Sequence, residues 1–377
     1  MANPRPFTPD YAAPPGEFIG ETLQERDMSA RELARRCGRS AKLMAEIVSG
    51  KAALEPETAM QIERVLGIDA ETMLRMESRY RLRLAREQER QDLQAHAAWL
   101  KTLPIKALAA RDCIARRSSV SEQIEEVLRF FQAGSPEACE DRWGELLSLH
   151  YRTSPAFDNN LASLAAWLQL GERKASKITV EDYDRGKFLE ILDMVRPLTR
   201  CDIKDSLAFT QQLCASCGVA LVVEEPLTGV RASGVSRWLA PGRPLIQLSF
   251  RYHANDHFWF TFFHECAHIL FHSRKATFVD MSHSEGSADP DEEEEANRWA
   301  AEFLIPRPAL DRFIARFTFK TDEVVAFANE QGIAPGIVVG QLQHRKVLRF
   351  NQMTPLKRIY EPCEISEICV SQKSTNT

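Results

Sequence analysis

The chain has 377 residues, is 44% hydrophobic and 27% charged, and carries a formal net charge of −5. That length exceeds the ~250–300 residues a single core supports, so two or three globular domains are expected, and without global basicity any nucleic acid must be met by a local patch. No apolar run is long enough to span a bilayer, "MANPRPFTPDYAAPP" lacks a signal-peptide pattern, and nine scattered cysteines argue for reduced thiols in a cytoplasm.

Residues 15 to 80 read as short helices joined by tight turns. Proline opens "PPGEFIGETLQER". Ser29 and Glu32 have capping-box spacing at the start of "SARELARRCGRS", which stops at Gly38. Ser40 can cap "AKLMAEIVSG", and Pro56 starts "PETAMQIERVLG". Two short helices across a glycine-containing turn have the shape of a helix-turn-helix; a small helical bundle of another kind has the same spacing.

"PPGEFIGETLQERDMS", "LARRCGRSAKLMAEIVSGK" and "LEPETAMQIERVLG" together resemble the DNA-binding domain of HigA-type antitoxins, which are lambda-repressor-like regulators. The resemblance implies that the helix from Ser40 to Ile47 enters the major groove of an operator in double-stranded DNA. Ala41, Lys42, Ala45 and Glu46 should then be exposed and Met44 and Ile47 buried. Arg31, Arg35, Arg36 and Arg39 suit phosphate contact. Residues 1 to 60 hold eight basic and nine acidic side chains, so one copy should bind weakly and a homodimer is expected.

From 70 to 190 the sequence is helical. "ETMLRMESRYRLRLAREQERQDLQAHAAWL" has the pattern of one long solvated connecting helix. "SEQIEEVLRFF", "LASLAAWLQLGERKA" and "YDRGKFLEILDMVRPL" follow with helical spacing. After Cys201 the period changes: "GVALVVEEP", "ASGVSRWLA" and "RPLIQLSF" are β-rich runs separated by turn residues, consistent with a small sheet. Helices resume at "HFWFTFFHECAHILFH" and continue through "DEEEEANRWAAEFLIP", "ALDRFIARF", "TDEVVAFANEQG" and "PGIVVGQLQHRK". The tail from Glu361 is expected to be disordered.

"HECAH", His264 to His268, matches H-E-x-x-H. Residues four apart on a helix share a face, so both imidazoles can reach one zinc ion, while Glu265 on the adjoining face can address a water there. A nearby metal also explains how a carboxylate survives in so apolar a helix. The competing reading is a hydrogen-bonded pair of core histidines. His272 cannot join both His264 and His268, because eight helical residues span ~12 Å. The acidic helix is the next source of a third ligand. On its apolar face of Ala296, Trp299, Ala300 and Phe303, at about 100° per residue, Glu294 points away, Glu292 lies near the centre and Glu295 on the edge. Periodicity does not choose between Glu292 and Glu295.

"HECAHILFH" and "EANRWAAEFLIP", with "GVSRWLAPGRPLIQLSFRYHANDHFWFTFFHE" and "FANEQGIAPGIVVGQLQ", resemble the ImmA/IrrE metallopeptidases over roughly residues 190 to 345. That resemblance selects Glu295 as the third ligand and implies zinc-dependent cleavage of a repressor protein, with Glu265 as general base. Weaker candidates remain. Cys214 and Cys217 read as buried thiols, the other acids of Asp291 to Glu295 as a solvated helix start, and Arg251, Tyr252, His253 and His283 as possible oxyanion donors.

The expected fold is mainly α with a small β-sheet. It divides into a helix-turn-helix DNA-binding domain (1–80), a helical middle region (81–190), an α+β zincin-like domain of the gluzincin kind (191–350) and a C-terminal extension (351–377). The expected function is a cytoplasmic, non-membrane regulator whose peptidase cleaves a partner repressor or itself. The alternative is an antitoxin or repressor whose peptidase-like domain senses a ligand or binds a cognate toxin without turnover.

Overall fold

The computed structural model describes residues 13–148, 158–272, 278–280, 290–316 and 319–374. The chain forms two compact units: Met1–Ala98 with Ser118–Ile124, and Trp99–Arg117 with Glu125–Thr377. Among the described residues no helix is long and apolar enough to cross a membrane.

The first unit is built on α1 (Pro15–Glu25), α2 (Ala30–Cys37), α3 (Ala41–Val48), α4 (Pro56–Leu66) and α5 (Ala70–Gln94). Side-chain caps start three of these helices. Ser29 Oγ accepts from Glu32 N at 3.1 Å, Ser40 Oγ from Leu43 N at 3.1 Å and Asp69 from Thr72 N at 2.7 Å. Each such cap contributes typically ~1 kcal/mol. Gly38 ends α2 at φ 65°, a left-handed turn that a side chain would strain. Ile19, Leu23, Leu33, Met44, Ile47, Ile62, Leu66 and Met73 fill the core, at helical spacing on every element. α5 carries its buried positions only at Ala70, Met73, Glu77 and Leu93, and residues 82 to 92 are exposed. The single long helix expected beyond residue 70 breaks at Ala95 and His96. A short helix, α6 (Ala97–Thr102), follows and buries Trp99.

Next come α7 (Ile105–Ala110), α8 (Val120–Phe131), α9 (Pro136–Ser148), α10 (Asp158–Ala175), α11 (Arg185–Val195) and α12 (Ile203–Ser216). The strands are β1 (Ala220–Val223), β2 (Gly234–Ala240), β3 (Arg243–Leu248) and β4 (Phe278–Asp280), in the order β1-β3-β2-β4. β1 runs parallel to β3, and β2 runs antiparallel to both β3 and β4. β4, which shares the edges of this order with β1, is a strand that no β-rich run of the sequence announces. α13 (Asn255–Phe271) lies between β3 and β4 in the chain, and α14 (Pro290–Leu304), α15 (Arg307–Ile314), α16 (Thr321–Gln331), α17 (Pro335–His344) and α18 (Pro362–Ser374) complete the second unit.

Both faces of the sheet are covered, which is why β1 and β3 are almost wholly buried rather than alternating with solvent. On one face α10 is fixed by polar contacts. Trp167 donates through Nε1 to Glu224 O at 2.9 Å, and Gln247 donates through Nε2 to Trp167 O at 2.9 Å. Arg237 reaches Leu168 O on the same side. Most of the expected middle region thus folds as one unit with the sheet. On the other face Leu221, Val223, Ile246 and Leu248 pack in the core cluster that includes Phe262, Phe263 and Cys266 of α13. Fully burying one such aliphatic or aromatic side chain contributes about 1.5–3 kcal/mol.

α13 is buried along almost its whole length, at fourteen of seventeen residues, because it packs against β2, β3, α14 and α17 together. The tail does not match the expectation of disorder from Glu361. Residues 362 to 374 form α18, which sets Ile365 and Ile368 into the same core.

Candidate metal centre and nucleic-acid interface

His264 and His268 stand one turn apart on α13, both buried, with their Nε2 atoms 3.0 Å from each other. Glu293, in the first turn of α14, spans the pair. One of its oxygens lies 3.3 Å from His264 Nε2 and the other 3.5 Å from His268 Nε2. All three ligand atoms fall within 4.8 Å of one another. Two imidazole nitrogens and a carboxylate converging in a buried site form a nitrogen–oxygen donor set that fits a zinc ion.

Glu293, not Glu295, is therefore the carboxylate at the histidine pair. The expected assignment fails on the phase of α14. Its fully buried residues are Ala296, Ala300 and Leu304, three, seven and eleven positions after Glu293, so Glu293 continues the buried stripe. Trp299 and Phe303, apolar at helical spacing, are only partly buried and stack on each other along the flank. Including them rotates the inferred face away from Glu293. Glu295 is half exposed, and its Oε2 lies 3.5 Å from His272 Nε2 instead. Glu292 is outside the three-residue group, and Glu294 is exposed.

Glu265 is completely buried and accepts a 2.6 Å hydrogen bond at Oε2 from the Ser236 hydroxyl. Ser236 comes from β2, two residues after Gly234, so both present the same face of the strand to α13. A Cβ on Gly234 would sit 2.7 Å from Glu265 Oε1 and 2.6 Å from Thr261 Cγ2. The strand therefore leaves room for the carboxylate at one residue and grips it at the next residue on that face. Neither Ser236 nor Gly234 carried a signal in the sequence beyond lying in a β-rich run.

Burial holds the thiols of Cys266 and Cys214 well above the ordinary cysteine range and lifts Cys217 to about 11. Cys217 donates to Cys214 O at 3.1 Å. These groups stay protonated and are poor metal ligands, as expected for Cys214 and Cys217. Arg251, Tyr252 and His253 line a small cavity with Ser233, His257 and Thr261 at the N-terminal end of α13. His283 lies outside the described residues.

In the first unit Ser40, Ala41, Lys42 and Ala45 are exposed along α3, Glu46 is half-buried, and Met44 and Ile47 face the core. Lys42 Nζ is 3.9 Å from Glu46 Oε1, a loose pair whose lysine is almost fully solvated. Arg39 is held differently. It donates through Nε to Gln61 Oε1 at 2.8 Å and lies 3.3 Å from Glu57, so it ties the turn to α4. Arg35 and Arg36 both engage Glu32, and their guanidinium hydrogen bonds pull its carboxyl down to about 2.

A family model described as the IrrE N-terminal-like domain, Peptidase_M78, matches residues 219–333. That span runs from the residue before β1 through the histidine pair and Glu293 to the turn before α17. An uncharacterized HTH-type transcriptional regulator, YddM of Escherichia coli (strain K12), is 34% identical over 68 residues, which cover 18% of this chain and 72% of that protein. The chain therefore belongs to the HTH-type transcriptional regulators, fused here to a domain of the ImmA/IrrE type.

Proposed function

We propose that this regulator binds operator DNA through residues 1–80 and that its IrrE-like domain, over residues 191–350, is a zinc-dependent endopeptidase of the gluzincin kind. Its substrate class is a regulatory protein in the cytoplasm, either a partner repressor or this chain itself. The observation that carries the reading is Glu265, buried and gripped by Ser236 beside a converging group of His264, His268 and Glu293.

His264, His268 and Glu293 would hold the metal, with Glu293 in the place expected of Glu295. Bound zinc would supply Lewis acidity and lower the pKa of a water there toward neutrality. Glu265 takes the proton of the attacking water and later gives it to the leaving amine. Ser236 donates to Oε2 and so orients the Glu265 carboxylate. An extended substrate segment would pair alongside the edge strand β4, with main-chain hydrogen bonds providing affinity.

On the DNA side, Ser40, Ala41, Lys42 and Glu46 form the reading face of α3. Lys42 contributes the charge, and a homodimer would supply two half-sites about one helical turn apart. A second reading is favoured by the relative that is named only as a transcriptional regulator. In it the chain is an antitoxin or repressor, and the second unit binds a toxin or ligand without turnover.

Glu265→Gln separates the two. In the peptidase reading this variant keeps its zinc and its melting temperature but loses cleavage by roughly 10²–10⁴-fold, the usual contribution of a general base. Reporter output from the chain's own promoter under stress should then lose its response. A wild-type response in Glu265→Gln would leave the repressor reading standing and remove the enzyme.

A further inference from the structure

His272 follows the H-E-x-x-H motif by one more turn, and α13 ends on it. Its backbone N donates to His268 O at 3.1 Å while its own φ and ψ, −102° and 173°, are already extended. The chain thus leaves the helix just where the His272 ring can turn back over His268. The two Nδ1 atoms are 2.7 Å apart. His272 Nε2, on the other side of the ring, lies 3.5 Å from Glu295 Oε2.

We propose that His272 and Glu295 form an outer layer of the metal centre, positioning His268 rather than binding the metal themselves. The inference rests on the reading that His264, His268 and Glu293 hold zinc. In that reading His268 Nε2, which faces His264 and Glu293, offers its lone pair to the metal, and the His268 proton sits on Nδ1. A hydrogen bond between two ring nitrogens needs one donor and one acceptor, so His272 Nδ1 accepts. The remaining His272 proton then sits on Nε2, on the side of the Glu295 carboxylate. The His268–His272 contact thus fixes the tautomer of both rings, with the Glu295 carboxylate on the side of the outer proton. Metal-bound histidines commonly need such a partner, and losing it costs typically 10–100-fold in metal affinity. Glu295 thereby gains a role one layer further out than a ligand.

The test is zinc affinity of the full chain, measured by competition with a chelator, alongside melting of the zinc-stripped protein. His272→Phe keeps the ring and removes the acceptor, and it should bind zinc about 10–100-fold more weakly with an unchanged zinc-free melting temperature. His272→Asn places an amide oxygen near the position of Nδ1 and should recover most of that loss. Glu295→Gln should weaken binding by no more than about tenfold, since its carboxylate is half solvated. Wild-type affinity in His272→Phe would overturn the proposal, and so would an equal loss in His272→Asn. A lowered melting temperature in zinc-free His272→Phe would make the residue merely structural and overturn it as well. A wild-type chain that binds no zinc, or one that His264→Ala leaves unaffected, would sink the metal reading and this inference together. Only the His272 outcomes sink the inference alone.

Discussion

Removing Glu293 is the sharpest test of how the centre is assembled. Glu293→Ala deletes both oxygens that stand 3.3 and 3.5 Å from the two imidazoles and leaves two ligands where three converge. Outer-layer partners alone change metal affinity by 10–100-fold, so loss of a direct carboxylate ligand should exceed ~100-fold, or roughly 2.8 kcal/mol. The metal-free fold should change little. Glu293 lies in the first turn of α14, where a carboxylate contributes only about 0.3–1 kcal/mol through the helix dipole. Zinc content after dialysis against a chelator, paired with a melting curve of the stripped protein, reads both quantities. Glu295→Ala, measured beside it, should retain most of its zinc. Full occupancy in Glu293→Ala, or equal losses in the two variants, would refute the assignment of α14's buried stripe as the ligand face.

Three further outcomes are expected. Gly234→Ala puts a methyl group 2.7 Å from Glu265 Oε1, so it should displace Glu265, costing about 1–3 kcal/mol of stability and most cleavage while zinc stays bound; unchanged turnover would show that the carboxylate has slack. Lys42→Ala should weaken operator binding by about 1–3 kcal/mol if it reads a base, or lower the salt slope by ~1 if it meets phosphate, without moving the melting temperature. Arg39→Ala, which frees Gln61 and Glu57, should lower stability instead, and gel shifts with melts on both variants check the pair. Finally, an alkylating reagent at pH 8 should modify exposed Cys201 and Cys363 and spare Cys214 and Cys266, whose thiols burial keeps protonated. Mass spectrometry finding rapid labelling of Cys266 would contradict the burial of α13.

Local rules carried the sequence reading furthest where the deciding contacts are local. Ser29 and Ser40 cap helices over three residues, Gly38 turns the chain at one, and His264 and His268 share a face by spacing alone. Glu293 needed the correct phase of α14, and two large aromatics at its flank outweighed two small alanines at its centre. Size misled there, because close approach of α13 and α14 favours alanine at the contact and pushes tryptophan aside. Ser236 could not be picked out, since its partner Glu265 is distant in sequence and any polar strand residue has the same signature. Arg39 had the charge for phosphate, yet its nearest acceptors arrive from α4, 18 and 22 residues later. β4 is three residues long, too short to show a period, and α18 sets Ile365 and Ile368 into the core from a stretch with no clear apolar period.

The segment just before α18 has a consequence for the timing of synthesis. Lys357 Nζ lies 2.6 Å from the buried Asp256 carboxylate, Asn255 N donates to Arg358 O at 3.0 Å, and the Tyr360 hydroxyl meets Asn255 Oδ1. All of these groups hold the first turn of α13, the helix that bears the histidine pair. On the ribosome, α13 therefore emerges with its N-terminal end unfastened, long before the clamp that secures it has been made. Among the described residues the core of the helix-turn-helix unit runs from Ile19 to Met73, and units made first generally fold first. A nascent chain would then be able to fold its helix-turn-helix part while the domain that carries the histidine pair still waits for completion. Tags or lesions between residues 357 and 360 should be felt at the far end of the chain's third quarter, in the helix of the site itself.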